Sequence, residues 1–349
     1  MILVRISGAM RIKTILLIIL LLSSPVICIT AQEKFRIMFY NPENLYDTQN
    51  NPDTNDDDLT PEGNLHWSGQ RYWDKLKNVS KVIYAVGENY PPALIGICEV
   101  ENKSALHHLT TQTPLRKDKY EYIITDSKDH RGSNIALLYQ RDQMRLISKR
   151  SYRPSIDSVK TTRDILHVTG RIVNGELLDI FVCHFPSRSE GIKKTAPYRS
   201  VCAQLLKQKT DSLFRIRKTA NIIIMGDFND YPDDESLYEI LGAKAIDGNI
   251  VAKRLYNLFY HRLKEKDSGS YKYQGKWNFI DQFIVSSNLL DKLSRTSVRD
   301  KAASVFKDDF LMEEDPKYGG QKPFRTYSGW KYLGGYSDHL PIYLDLIIK

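Results

Sequence analysis

Residues 221–230 read Asn-Ile-Ile-Ile-Met-Gly-Asp-Phe-Asn-Asp. The apolar run 221–225 has the pattern of a β-strand, and the chain turns polar at once in Gly226-Asp227-Phe228-Asn229. An acid and an amide at a strand end usually make a turn and nothing more. Repetition makes this one informative. The run 35–40 passes into Asn41-Pro42-Glu43-Asn44-Leu45, the run 93–98 into Glu99-Val100-Glu101-Asn102, and the run 178–183 into His184-Phe185-Pro186-Ser187-Arg188. Asp281 is embedded in the apolar run 279–285, and Ser337-Asp338-His339-Leu340-Pro341 precedes the final run 342–348. Six clusters of acid, amide or imidazole at strand ends fit convergence on one mouth. A carboxylate inside an apolar strand, as at Asp281, is costly unless it is paired.

Further strands are expected over 120–125 and 135–139. Residues 71–87 set Tyr72, Leu76, Val79, Ile83 and Val86 at steps of four and three, which predicts an amphipathic helix. A second helix is expected over 197–218, opening at Pro197, and a short third one over 235–241. Strands and helices alternate without a Pro/Ser linker, so residues 32–349 read as one α/β domain. Two polar inserts, 50–69 and 300–335, read as solvated loops. The first fails as a calcium-binding EF-hand, because Asp58 and Asn64 stand where Gly and Glu are required. The second carries Tyr318, Phe324, Tyr327, Trp330 and Tyr332.

The 349 residues are 42% hydrophobic and 26% charged, which excludes a disordered chain and a multi-span membrane protein. Residues 10–31 have a charged start at Arg11 and Lys13, an apolar run from Ile15 to Leu22, a polar break and a small residue, Ala31. That is the layout of a secretory signal peptide, with export as the expected destination and Met10 as an alternative start. Anchoring as a lipoprotein through Cys28 is a second reading, weakened by Ile27 where a small residue belongs. The whole chain carries +8; without residues 1–31, 47 basic residues face 42 acidic ones, and +5 remains. A positive balance suits an anionic partner such as nucleic acid. Cys98, Cys183 and Cys202 read as buried apolar residues rather than a disulfide framework, and the absence of a CxxC pattern argues against structural zinc.

The series Asn41-x-x-Asn44-Leu45, Cys98-Glu99-Val100, His184-Phe185, Gly226-Asp227-Phe228-Asn229, Ile280-Asp281 and Ser337-Asp338-His339-Leu340-Pro341 resembles the endonuclease/exonuclease/phosphatase superfamily. It covers essentially all of residues 33–349 in the family's order. The resemblance implies a deoxyribonuclease I-like fold, a four-layer α/β sandwich with two central mixed β-sheets flanked by helices.

Hydrolysis of a phosphate ester calls for a hard cation held by oxygen ligands, which suits Mg²⁺, with Mn²⁺ or Ca²⁺ as alternatives. Glu99 is the first candidate ligand, with Asn41 and Asp338 as companions and Glu43 a further one. The resemblance implies that Asp227 positions or deprotonates water and that Asn229 holds a phosphate oxygen. It also places His184 and His339 near the scissile group, with Asp281 hydrogen-bonded to His339. Whether Asp227 or His339 is the base stays open. Arg188, with Lys193, Lys194 and Arg199 nearby, is a candidate for holding non-scissile phosphates, and Ser133 and Asn134 are candidates for lining the site. Glu101 reads as supporting or surface. The expected activity is an exported, Mg²⁺-dependent phosphodiesterase or endonuclease acting on nucleic acid as a monomer. Hydrolysis of a phospholipid or sphingolipid headgroup or of an inositol phosphate is the alternative on the same fold, and a non-catalytic binding protein is disfavoured.

Overall fold

The apolar runs become strands because their neighbours cover both faces. In the computed structural model, which describes residues 35–156 and 161–349, every residue of β1 (Phe35–Tyr40) is buried. The expected signal peptide and Cys28 lie outside these residues. After β1 come α1 (Gly69–Gly87), β2 (Leu94–Val100), α2 (Lys103–Thr111), β3 (Glu121–Ile124) and β4 (Asn134–Tyr139). The middle of the chain forms β5 (Met144–Tyr152), β6 (Ile165–Ile172), β7 (Leu177–His184), α3 (Ile192–Ile216) and β8 (Ile222–Asp227). Then follow β9 (Ala243–Lys244), β10 (Leu255–Asn257), a hairpin of β11 (Tyr271–Tyr273) and β12 (Lys276–Asn278), and β13 (Asp281–Ser286). The last stretch contributes β14 (Thr296–Val298), β15 (Ser304–Val305), β16 (Met312–Glu314), β17 (Gln321–Pro323), β18 (Tyr327–Ser328), β19 (Lys331–Tyr332) and β20 (Ile342–Ile348).

Two mixed sheets of seven strands result. The first runs β14-β20-β1-β2-β4-β3 with β15 on β20, and the second β5-β6-β7-β8-β13-β10-β9. Strand alternation sorts the side chains. On β1, Ile37 and Phe39 point inward and pack with Val168, Ile180, Val182, Met225 and Phe283 of the second sheet. Met38 and Tyr40 point outward, beneath Leu76, Val79 and Ile83 of α1 and Leu106 of α2. On the second sheet, Phe181, Cys183, Ile222 and Ile224 point outward under Cys202, Ala203 and Leu206 of α3. The layers are therefore helix, sheet, sheet and helix, the expected sandwich. Cys98, Cys183 and Cys202 are free and buried, as small apolar residues.

Several boundaries differ from the sequence reading. Helix α3 starts at Ile192, not Pro197: the proline costs it one bond, to the carbonyl of exposed Lys193, and Gly191 at φ +105° turns the chain into the helix. The 300–335 insert carries strands β15 to β19 rather than plain loop. Residues 236–241 form a π-helical turn.

One glycine of the decisive stretch acts by close approach. A Cβ on Gly226 would lie 2.3 Å from the carbonyl oxygen of Cys183 on the adjacent strand. Because that oxygen is backbone and cannot rotate away, Gly226→Ala is expected to lower unfolding free energy by about 1–3 kcal/mol. Chemical denaturation measures it, and an unchanged midpoint would contradict the close approach.

Candidate active site

All six polar clusters meet at one end of the two sheets. Asn41 follows β1, Glu99 lies near the end of β2, His184 ends β7 and Asp227 ends β8. β7 and β8 are parallel with His184 opposite Asp227. β8 and β13 are antiparallel with Asp227 paired directly to Asp281, so the two carboxylates project from the same side. His339, in the loop before β20, bridges to Tyr271 of β11 and completes the cluster.

The side chains form a continuous line. Asp281 Oδ2 is 2.8 Å from His339 Nδ1. His339 Nε2 stands 3.8 Å from Asp227 Oδ2, which is 3.5 Å from His184 Nε2, itself 4.0 Å from Glu99 Oε1. Asn41 donates from Nδ2 to Asp227 Oδ2 at 3.3 Å, and the Asn229 backbone N–H donates to Asp227 Oδ1 at 3.0 Å. Asn229 itself donates its side-chain amide to the Phe185 carbonyl at 3.1 Å.

Local backbone strain sets several of these positions. Glu43, Asn44, Glu99 and Asn229 all have left-handed φ, from +51° to +58°. Such residues cost roughly 1–3 kcal/mol each and persist where the surroundings over-determine them. At Glu99 the register between β2 and β4 shifts, so a bulge aims this carboxylate at the mouth. Its Oε2 accepts the Asn44 N–H at 3.0 Å. The bulge also breaks the alternation that would have put Glu101 beside Glu99. Glu101 is instead buried, accepting the Asp47 N–H at 2.7 Å, and burial raises its carboxyl to about 7.

The two imidazoles are driven to opposite charge states. Burial lowers the proton affinity of His184 and the positive charges of Arg163 and Arg131 lower it further, well below the usual range. For His339, burial works against charge, but the Asp281 carboxylate at Nδ1, backed by Asp227 and Asp338, outweighs it and raises proton affinity well above the ordinary value. Asp227 is pushed up to about 7, chiefly by burial, with Asp281 and Glu99 adding to the rise and His339 opposing it. Neutral His184, charged His339 and a carboxyl poised near neutrality are a set built for proton movement.

Other expected residues are placed differently. Glu43 is not free to ligate: its oxygens accept from Thr326 N–H at 2.6 Å and Arg325 at 3.2 Å. Asp338 Oδ2 shares Arg325 at 3.1 Å but remains partly open. Lys75 of α1 is buried beneath this pair, donating to the Tyr336 carbonyl, and burial lowers its amine to about 8 despite Glu43 and Asp338. Arg188 is a brace, not a free phosphate contact: it binds the Asn229 carbonyl, Asp230 at 2.8 Å and Asp234. Arg199 is likewise buried against Asp230 at 2.7 Å. Asn134 spends its amide on the Glu101 and Gly132 carbonyls and the Ser127 N–H. The 131–136 segment reaches the site through the charge of Arg131, which Glu99 and Asp129 hold above its ordinary pKa against burial. Arg131, Arg163, Arg325 and Tyr271 went unread in the sequence, since none sits in a motif.

The donor set fits a hard divalent cation. Glu99 Oε1 has no hydrogen-bond donor among the described residues, Asn41 reaches Asp227 in the same mouth, and clustered carboxylates raise one another's proton affinity unless a cation offsets them. Asp227, Asp281 and His339 also offer atoms within 4.8 Å of one another. There, however, Nδ1 of His339 is already engaged by Asp281, and a charged imidazole repels a cation. The Glu99 side is the better cradle.

Comparison with known proteins bears on the family and the fold. The family model described as "Endonuclease/Exonuclease/phosphatase family" matches residues 36–348. No curated protein matches the chain. Among solved structures, a mannosyl-6-phosphatase from Bacteroides thetaiotaomicron is 16% identical with a TM-score of 0.56, over 90% of this chain and 100% of that one. D. rerio TDP2 complexed with single-strand DNA product is 14% identical with a TM-score of 0.55, over 90% and 99%. The human Nocturnin catalytic domain with bound sulfate is 16% identical with a TM-score of 0.54, over 90% and 94%. At such identities these likenesses speak for the fold.

Proposed function

From a chain that belongs to the endonuclease/exonuclease/phosphatase family, and is thereby a hydrolase of phosphate esters, we propose an exported, divalent-metal-dependent phosphodiesterase that cuts nucleic acid. The observation that carries the chemistry is the unbroken line Asp281–His339–Asp227–His184–Glu99. Asp227, near neutrality and held in place by Asn41 and Asn229, takes the proton of the attacking water. His339, kept charged by Asp281, faces the negative charge that builds on the phosphoryl oxygens. His184, neutral and with Nε2 set between two carboxylates, is placed to offer a hydrogen bond to a phosphoryl oxygen without adding charge. Mg²⁺ held by Glu99, with Asn41 and Asp338, would supply charge neutralisation and polarise the ester. Nucleic acid is favoured over other esters by the net charge of +5 without the leader and by Tyr271 and Tyr273. These rings stack at 6.5 Å, Tyr271 lies 4.8 Å from the His339 ring, and such a pair offers a platform to an unstacked base.

A lipid headgroup ester is the second reading, favoured by the exposed rings of Tyr318 and Trp330 in the 300–335 insert. Plasmid DNA, RNA, sphingomyelin, an inositol phosphate and mannose 6-phosphate, each with Mg²⁺ and with chelator, separate the readings. Cleavage of either polymer with Mg²⁺, its loss on chelation and its recovery with Mg²⁺ or Mn²⁺ are expected. Turnover of lipid or monoester alone would replace the nuclease reading, and undiminished cleavage in chelator would remove the metal from it.

A further inference from the structure

The catalytic residues occupy one end of both sheets; the opposite end, where β8 begins and β13 finishes, has a different character. A cavity of about 580 Å³ opens there, floored by Phe214, Ala220, Ile250 and Leu290. Lys218, Lys253, Lys292 and Lys301 line it, with Asp291 as the lone lining acid. Among the described residues none of the four lysines has a carboxylate partner. Arg217, by contrast, is spent on Asp179 at 2.9 Å. Three exposed aliphatic residues flank the lining in sequence: Ile216, Val251 and Leu293 are 69%, 47% and 89% exposed, each next to a lining residue. The chain also enters the described fold at this pole, since β1 runs from Phe35 there to Asn41 at the mouth.

Solvated lysines alone would suit any polyanion. Exposed aliphatics gain nothing against a phosphodiester backbone, but they gain by entering the acyl boundary of a bilayer whose anionic headgroups hold the lysines. Aliphatics ringed by cations, with a cavity large enough for a headgroup, favour that partner. We propose that this pole is a peripheral docking surface for a bilayer containing anionic phospholipid. Headgroup phosphates sit among Lys218, Lys253, Lys292 and Lys301, and Ile216, Val251 and Leu293 dip into the interface. Docked this way, the protein turns its catalytic mouth to the aqueous phase, away from the lipid.

Vesicle sedimentation of the full chain tests this, comparing phosphatidylcholine alone with phosphatidylcholine plus phosphatidylglycerol. Every variant keeps the same N-terminal segment, so differences report the pole. Wild type is expected to bind the anionic vesicles at least about tenfold more tightly. Lys218→Glu/Lys253→Glu/Lys292→Glu/Lys301→Glu is expected to abolish that preference. Val251→Ser/Leu293→Ser should weaken anionic-vesicle binding severalfold, with circular dichroism confirming that both variants fold. No anionic preference in wild type, or a preference that both variants retain, overturns the proposal. So does a charge reversal that weakens capture of an uncleavable phosphorothioate oligonucleotide while leaving vesicle binding unchanged. Binding is read without turnover, so this test stands apart from that of the catalytic mouth.

Discussion

Replacing Asp227 by Asn is expected to lower kcat/KM by about 10²–10⁴-fold while the protein still folds. The amide keeps the shape and its oxygen can still accept the Asn229 N–H, but its NH₂ can neither accept from Asn41 nor take a proton from water. The pH profile gives a sharper reading. Because buried Asp227 sits at about 7, activity should fall as the medium is acidified through neutrality. Saturating divalent cation favours the ionised carboxylate and should move that limb to lower pH. Asp227→Asn should erase the limb; an unchanged limb in the variant would rule out Asp227 as the acceptor. Stability carries the same signature with the opposite slope. The unfolded chain releases this proton near 3.8 and the folded one only near 7, so between those values stability declines as pH rises. The variant should show a flatter pH dependence of unfolding over that interval.

Asp281→Asn is expected to cost nearly as much, about 10²–10³-fold in kcat, although Asp281 reaches the substrate only through His339. The amide can still meet Nδ1, but the charge that keeps the imidazole protonated is gone. In wild type the His339 proton is held well above the ordinary range. Its contribution to stability is therefore complete below the normal histidine value and is lost only as pH rises through the elevated one. NMR titration of the His339 ring should find it charged throughout the neutral range in wild type and titrating much lower in Asp281→Asn. Equal titration in both proteins would leave Asp281 a purely structural partner. His339→Gln should match Asp281→Asn in rate, since both remove the same positive charge.

Much of the architecture could be read from local pattern. Strands buried on both faces, such as β1, β8 and β13, announce themselves as unbroken apolar runs. Strand β5 does not: it lies at a sheet edge with most side chains exposed, so Arg145, Ser148, Lys149 and Arg150 hide it. The short α2 was missed for a similar reason, its His107-His108-Leu109-Thr110-Thr111 stretch offering only a weak apolar stripe. At the site, motif residues were legible because strand ends set them down in order. Their cationic partners were not. Arg325 meets Glu43 across most of the chain, and Arg163 reaches the Phe185 carbonyl from beyond β5, so nothing near either residue marks the contact. Arg188 and Asn134 erred the other way: polar residues beside a mouth invite a substrate role, and here Asp230, Asp234 and neighbouring carbonyls had already engaged them. Glu101 was ambiguous in the sequence because a bulge, which sequence alternation cannot show, sits two residues before it.

The direct pairing of Asp227 with Asp281 separates what evolution must preserve in this enzyme from what it can rewrite. As long as β8 and β13 stay in step, the two acids face each other whatever the intervening polypeptide does; a slip by one residue would turn one of them to the opposite face. The short excursion at 273–276, the tip of the tyrosine-bearing β11–β12 hairpin, touches neither acid and is thus free to grow, shrink or change its side chains, so long as Tyr271 keeps its bridge to His339 and Asn229 its hydrogen bond to Asp227. Descendants that take new substrates should differ there first, and grafting that excursion between relatives is a route to altered selectivity on an unaltered catalytic engine.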